Sequence, residues 1–163
     1  MLMGKLLAQA AMDKGYNVTW LPSYGAEVRG GTAHSIVHIS SEPISSPMTD
    51  EPSIGVVMNK PSLYKFVRTI KKEGLLIVNS SMVDNIPGRK DISIAEIPLT
   101  KLAQELGNVR VANMIAIGAL IRLKGFLSPK SLIGAIKGMF LKNRKILEKN
   151  IDALTLGYEI MGK

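Results

Sequence analysis

A chain of 163 residues, 46% hydrophobic and 21% charged, has the composition of a globular protein long enough to bury a core. It contains no cysteine, which excludes disulfides, thiolate-held iron–sulfur clusters and a cysteine nucleophile within this chain. The net charge of +8 is concentrated late: residues 122–163 hold nine Lys or Arg against three Asp or Glu. Such a surplus reads either as a solvated helical tail or as a patch for an acidic partner, an anionic coenzyme or nucleic acid. Three Phe and one Trp supply few stacking platforms, so no nucleic-acid partner is expected.

Residues 1–14 read as a helix, with Leu2, Leu6, Leu7, Ala10 and Ala11 at helical spacing and Gly15 as its stop. Lys5, Gln9 and Asp13 interrupt the apolar run, so the segment lacks the order of a signal peptide, and a cytoplasmic location is expected. Residues 16–21 form the first strand, stopped by Pro22, and residues 32–41 the second. Alternation puts Ala33, Val37 and Ile39 on one face of the second strand and Thr32, His34, Ile36 and His38 on the other. His34 and His38 are too far apart to share a metal easily. Four residues along a strand span roughly 13 Å, whereas two ligands of one zinc each lie within about 2.1 Å of it.

Residues 42–52 carry turn chemistry, and residues 53–58 a short strand of the kind buried on both faces. Asn59, with Pro61 and Ser62, opens a helix expected to reach Glu73, with Leu63, Phe66, Val67 and Ile70 on its apolar face. In doubly wound sheets ligands collect where strands give way to helices, so Asn59 occupies a site position. An asparagine that bonds only the loop backbone explains it equally well. Further strands follow at residues 75–78 and 92–97, then a helix over 101–106. An apolar helix begins near Asn108 and runs through Ile121, passing Asn113. Its apolar run falls well short of the roughly 20 residues that a membrane span needs, so it reads as a buried helix. Ser128 and Pro129 cap and start the next helix, and residues 141–161 form a basic amphipathic one. Strands alternating with helices, then helices alone, argue an α/β fold: a parallel or mixed sheet with helices on its faces and a helical C-terminal part.

The stretch between the first two strands is the one that folding does not demand. A hairpin turn needs about two to five residues, and Ser23-Tyr24-Gly25-Ala26-Glu27-Val28-Arg29-Gly30-Gly31-Thr32 is longer. Gly25, Gly30 and Gly31 permit positive φ or close approach to the backbone. Glu27 and Arg29, two apart, point the same way in an extended segment and either pair with each other or reach a partner together. Tyr24 combines a flat body with a polar tip, which suits an interface.

Tyr24-Gly25-Ala26-Glu27-Val28-Arg29-Gly30-Gly31 resembles the Tyr-Gly-x-Glu-x-Arg-Gly-Gly signature of the gamma subunit of 2-oxoacid:ferredoxin oxidoreductases. That family acts on pyruvate, 2-oxoglutarate and branched 2-oxo acids. Trp20-Leu21-Pro22, Ile44-Ser45-Ser46-Pro47, Asn59 with Pro61-Ser62, and the Asn113-Met114 pair extend the likeness over almost the whole chain. Members of the family usually open with a strand and a Gly-x-Gly-Gly-Gln-Gly turn, and the sequence in hand starts inside the helix that follows. The resemblance implies a single Rossmann-like gamma-type domain over residues 1–163, lacking that first strand and turn.

Gly-x-Ser-x-Gly and phosphate-binding loop motifs are absent, and Glu27 has no evident catalytic partner. The resemblance therefore implies a non-catalytic subunit of an enzyme that oxidatively decarboxylates a 2-oxo acid. Thiamine diphosphate, iron–sulfur clusters and coenzyme A would act in the assembled complex, with alpha, beta and delta-type subunits as partners and ferredoxin as electron acceptor. Tyr24, Gly25, Glu27, Arg29, Gly30 and Gly31 would face those partners, with Asn59 as a further site residue. The smaller subunit of indolepyruvate:ferredoxin oxidoreductase and a basic nucleotide- or nucleic-acid-binding module are the alternatives.

Overall fold

The computed structural model describes residues 1–24 and 32–162. They belong to two compact units, Met1–Met48 with Asn113–Lys163, and Thr49–Ala112.

The first unit opens with α1 (Leu2–Met12), which buries Leu6, Leu7, Ala10 and Ala11. Gly15, at φ +84°, ends the helical run as the sequence predicts. The Tyr16 N–H donates to the Ala11 carbonyl (3.1 Å) and the Gly15 N–H to that of Met12 (2.9 Å). This paired bonding is the Schellman stop, which favours glycine at the left-handed position. β1 (Asn17–Ser23) and β2 (His34–Ser40) then pair antiparallel, with Trp20 opposite Val37 and Thr19 opposite His38. Pro22 does not stop the strand; it lies within it, opposite Ser35. Proline is tolerated on an edge strand, and in a two-stranded sheet both strands are edges. α1 lies against one face of this hairpin. A Cβ at Gly4 would overlap Ser35 Oγ and stand 3.1 Å from Trp20 Nε1, so glycine sets how closely helix and strands approach.

From Asn113 onward the same unit continues with α4 (Ala112–Lys124), whose first residue ends the other unit, α5 (Pro129–Phe140) and α6 (Arg144–Ile160). α4 buries side chains all round, including Met114, Ile115, Ile117, Leu120 and Ile121, which explains its nearly uninterrupted apolar sequence. Ser128 caps α5 as expected, its Oγ accepting from the Ser131 N–H (3.2 Å). The helix expected over residues 141–161 is shorter at its start. Asn143 caps α6, its Oδ1 accepting from the Ile146 N–H (3.1 Å), and residues 141–143 form a corner between α5 and α6.

The second unit holds a parallel sheet of β3 (Ile54–Val57), β4 (Leu75–Asn79) and β5 (Ser93–Ile97), in the order β3-β4-β5. β4 is central and buried along its whole length, which is why it reads as a continuous apolar run. The helical pieces are α2 (Lys60–Phe66), α3 (Leu99–Glu105) and a 3-10 turn (Val109–Val111). The core gathers Val57, Leu63, Val67, Ile70, Leu76 and Val78.

α2 stops at Phe66, short of the Glu73 expected from its periodicity, although Val67 and Ile70 are buried as the pattern predicts. Beyond Phe66 the backbone bonds elsewhere. Thr69 Oγ1 donates to the Phe66 carbonyl (2.9 Å), and Arg89 Nη1 donates to the carbonyls of Val67 (3.0 Å) and Ile70 (2.7 Å). A distant arginine thus satisfies carbonyls that a longer helix would have satisfied itself. The mixed α/β fold with a helical C-terminal part is the class read from the sequence, and its strands divide into an antiparallel pair and a parallel sheet.

Candidate functional site

β1 and β2 fix where the singled-out loop must emerge. Their register sets Ser23 opposite His34, so the two ends of the connection leave the hairpin side by side. Tyr24, at the near end, is 72% exposed. A tyrosine so uncovered contributes little to this chain's own core and leaves its ring and hydroxyl open to another surface. Gly25, Glu27, Arg29, Gly30 and Gly31 lie outside the described residues.

The two histidines of β2 sit where alternation places them, His34 opposite Ser23 and His38 opposite Thr19. Trp20, Ser35 and Val37 face α1 at Gly4, so Thr19 and His38 share the other face of the hairpin. Thr19 Oγ1 and His38 Nε2 are both buried without a hydrogen-bond partner among the described residues, as is Asn113 Oδ1 in α4. Among the described residues, no three His, Asp or Glu side chains come together as a metal site.

In the second unit the carboxyl ends of the parallel strands carry a polar node. Asn59 caps α2: its Oδ1 accepts from the Ser62 N–H at 3.0 Å. Lys60 Nζ reaches Asp84 Oδ1 at 3.3 Å. Hydrogen bonds from the backbone, and then from Lys60, hold the Asp84 carboxyl below its ordinary value. Asn79, at the end of β4, is 1% exposed. Its Nδ2 donates to the Met58 carbonyl (3.2 Å) and to Thr100 Oγ1 (2.8 Å), while its Oδ1 accepts from the Thr100 N–H (3.2 Å). One buried amide therefore fastens the residue after β3 and the start of α3 to the end of β4. Both amide protons are engaged, so Asn79 works as a brace. The expected strand ends at residue 78, and Asn79 is not among the site residues expected from sequence. Its signal was position, since a strand-end asparagine in an otherwise apolar run is unusual in a core.

The chain is thus a mixed α/β protein whose singled-out residues stand on a hairpin connection and at the carboxyl end of a parallel sheet. Residues 1–160 match the family described as pyruvate ferredoxin/flavodoxin oxidoreductase, and the chain belongs to that family. It is 35% identical over 159 residues to ketoisovalerate oxidoreductase subunit VorA of Methanothermobacter thermautotrophicus, a match covering 96% of this chain and 33% of that protein. It is also 35% identical over 163 residues to 2-oxoglutarate synthase subunit KorC of Methanocaldococcus jannaschii, covering 98% of this chain and 86% of that one. The chain therefore spans about a third of the VorA relatives it matches and most of the KorC subunit. Among solved structures, the gamma subunit of a keto/oxoacid ferredoxin oxidoreductase from Geobacter sulfurreducens PCA superposes with a TM-score of 0.83 at 26% identity, covering 98% of this chain and 89% of that one.

Proposed function

We propose that this chain is the gamma subunit of a 2-oxoacid:ferredoxin oxidoreductase and performs no chemistry alone. The observation that carries this reading is the near end-to-end match to relatives that are themselves separate subunits, KorC and the Geobacter gamma subunit. In the assembly, the bond between the carboxylate and the carbonyl carbon of the 2-oxo acid breaks and CO2 leaves. The acyl group would pass to the coenzyme A thiol, which releases its proton, and iron–sulfur clusters of the companion subunits would supply the path by which the two electrons reach ferredoxin. Thiamine diphosphate and the clusters belong to alpha, beta and delta-type companions, in keeping with a sequence that offers no cysteine to ligate a cluster.

In this reading residues 1–163 act in the cytoplasm as one gamma-type domain. Among the described residues no helix is long and apolar enough to cross a membrane. The connection from Tyr24 to Gly31 faces a companion subunit. Its support is a tyrosine left uncovered at the mouth of the hairpin and a glycine-rich, oppositely charged sequence that a turn does not require. Asn59, exposed at the start of α2, is the second position at which the chain would meet the assembly.

The test is co-expression with the companion subunits. The chain should co-purify with them, and the complex should reduce ferredoxin in the presence of a 2-oxo acid and coenzyme A. Arg29→Ala should weaken assembly or turnover while leaving the melting temperature of the full chain unchanged. A chain that stays monomeric beside its companions, and instead binds nucleotide or RNA with a steep salt dependence, would overturn the reading.

A further inference from the structure

The corner between α5 and α6 has a surface that the fold does not explain. Every residue from Leu141 to Ile146 is exposed. Leu141 is 76% exposed and Ile146 43%, two large apolar side chains at one turn. Around them residues 137–149 carry Lys137, Lys142, Arg144, Lys145 and Lys149 against a single acid, Glu148. Glu148 is already engaged, accepting from Arg144 Nε at 2.8 Å. Lys142 and Lys145 make no ion pair with any described residue.

The placement of two of these cations, Arg144 and Lys145, opposes the stability of the chain, whereas Lys137 and Lys142 lie at the carboxyl end of α5, where cations are favoured. The amino-terminal end of a helix carries a positive partial charge, so acids are favoured in its first turn and bases disfavoured. α6 has no acid in its first turn and begins Arg144-Lys145. An exposed leucine adds nothing to the core, and Arg144 and Lys145 are repelled by the amino-terminal end of α6 that they form. The adjoining outer side of α5 is open as well: no described residue stands within 4 Å of a Cβ built at Gly134 or Gly138. A partner can therefore come close to the helix backbone beside Leu141.

We infer that this corner is a docking surface for a carboxylate-bearing face of a companion subunit, with Leu141 as its apolar centre and Lys142 and Lys145 as its charge contacts. The proposal rests on the gamma-subunit reading and names where and by what chemistry one companion is held. Charge chooses the occupant. A second copy of this chain, at net charge +8, would bring cations against cations. An acidic protein surface pairs with the lysines and covers the leucine, the polar-rimmed apolar arrangement of ordinary interfaces.

The test uses the full chain and the co-purified complex. In Lys142→Glu/Lys145→Glu, Lys145→Glu puts an acid into the favoured first turn of α6 and Lys142→Glu puts one just past the carboxyl end of α5, so the two effects offset and the chain alone should melt close to the wild-type temperature. Its binding to the companions should weaken at least about tenfold, the effect of setting like charges together at an interface. Zero-length carbodiimide coupling of the wild-type complex should join Lys142 or Lys145 to Asp or Glu of one companion. If the double variant assembles with unchanged affinity and salt dependence, the docking surface is refuted and the gamma-subunit reading stands. If the wild-type chain binds no companion, both are refuted. If the corner binds anionic vesicles and carbodiimide yields no protein cross-link, a membrane is the occupant and the proposal is overturned.

Discussion

Two glycine pairs in the helical half of this protein stand under opposite conditions. Gly118 of α4 and Gly157 of α6 face each other's helices with no room to spare. A Cβ at Gly118 would overlap the Leu154 carbonyl, and one at Gly157 the Ile115 carbonyl. Gly134 and Gly138 of α5 face open space. Glycine inside a helix costs about 1 kcal/mol relative to alanine in either setting. At the α4–α6 crossing that cost is offset, because the missing side chains let two backbones touch and bury Ile115, Leu154 and their neighbours. On α5 no contact with a described residue offsets it. Glycine in an apolar crossing is therefore a requirement of folding, whereas glycine on an open face calls for an explanation outside the chain.

The comparison breaks most sharply at the crossing. Gly118→Ala or Gly157→Ala must push two helices apart along backbone that has no rotamer to adjust, and should lower unfolding stability by about 3 kcal/mol, measured by urea denaturation. A loss below roughly 0.5 kcal/mol would show that α4 and α6 are not locked. The open pair should respond with the opposite sign. Gly134→Ala/Gly138→Ala should gain up to about 1 kcal/mol per site in the same measurement. If instead the double variant is destabilised, α5 is covered within the chain itself. Leu141→Ser tests the open surface with a smaller effect: within about 0.5 kcal/mol of wild type for the isolated chain, as for surface changes generally. Its assembly with companion subunits should nevertheless weaken.

The distinction between the two pairs is invisible in the sequence. All four glycines interrupt helical runs, and only the tertiary crossing of α4 and α6 separates them. Features set by neighbours in sequence were legible. Gly15 as a left-handed stop, Ser128 with Pro129 as a helix start, the faces of β2, and the buried positions Leu63, Val67 and Ile70 all follow from local chemistry. Features decided at a distance were not. Pro22 continues a strand because β1 has a free edge, α2 ends early because Arg89 takes over its carbonyls, and residues 141–143 turn because Asn143 caps a new helix. The candidate loop stands out as a sequence anomaly, too long and too glycine-rich for a turn, and its residues 25–31 lie outside the described ones. Asn79 was missed because its role exists only once β3, β4 and α3 have been brought together.

The same contrast holds for cations, and there it predicts the smallest effect. Arg89 bonds the Val67 and Ile70 carbonyls and pairs with Asp91, whereas Lys142 and Lys145 reach no described acid. Hydrogen bonding from Arg89 holds the Asp91 carboxyl below its ordinary value of 3.8. The unfolded chain then takes up a proton near that value while the folded chain does not. This contribution is therefore present in full above the ordinary carboxylate range, and is lost as pH falls below 3.8 toward the depressed value of the folded chain. Asp91→Asn should flatten the acid limb of the stability–pH curve and leave the neutral plateau close to wild type, since exposed pairs contribute little. Lys142→Gln should alter neither limb for the isolated chain, because no described carboxylate in this protein depends on it. An acid limb unchanged by Asp91→Asn would mean that Arg89 stabilises the unit through the two carbonyls alone.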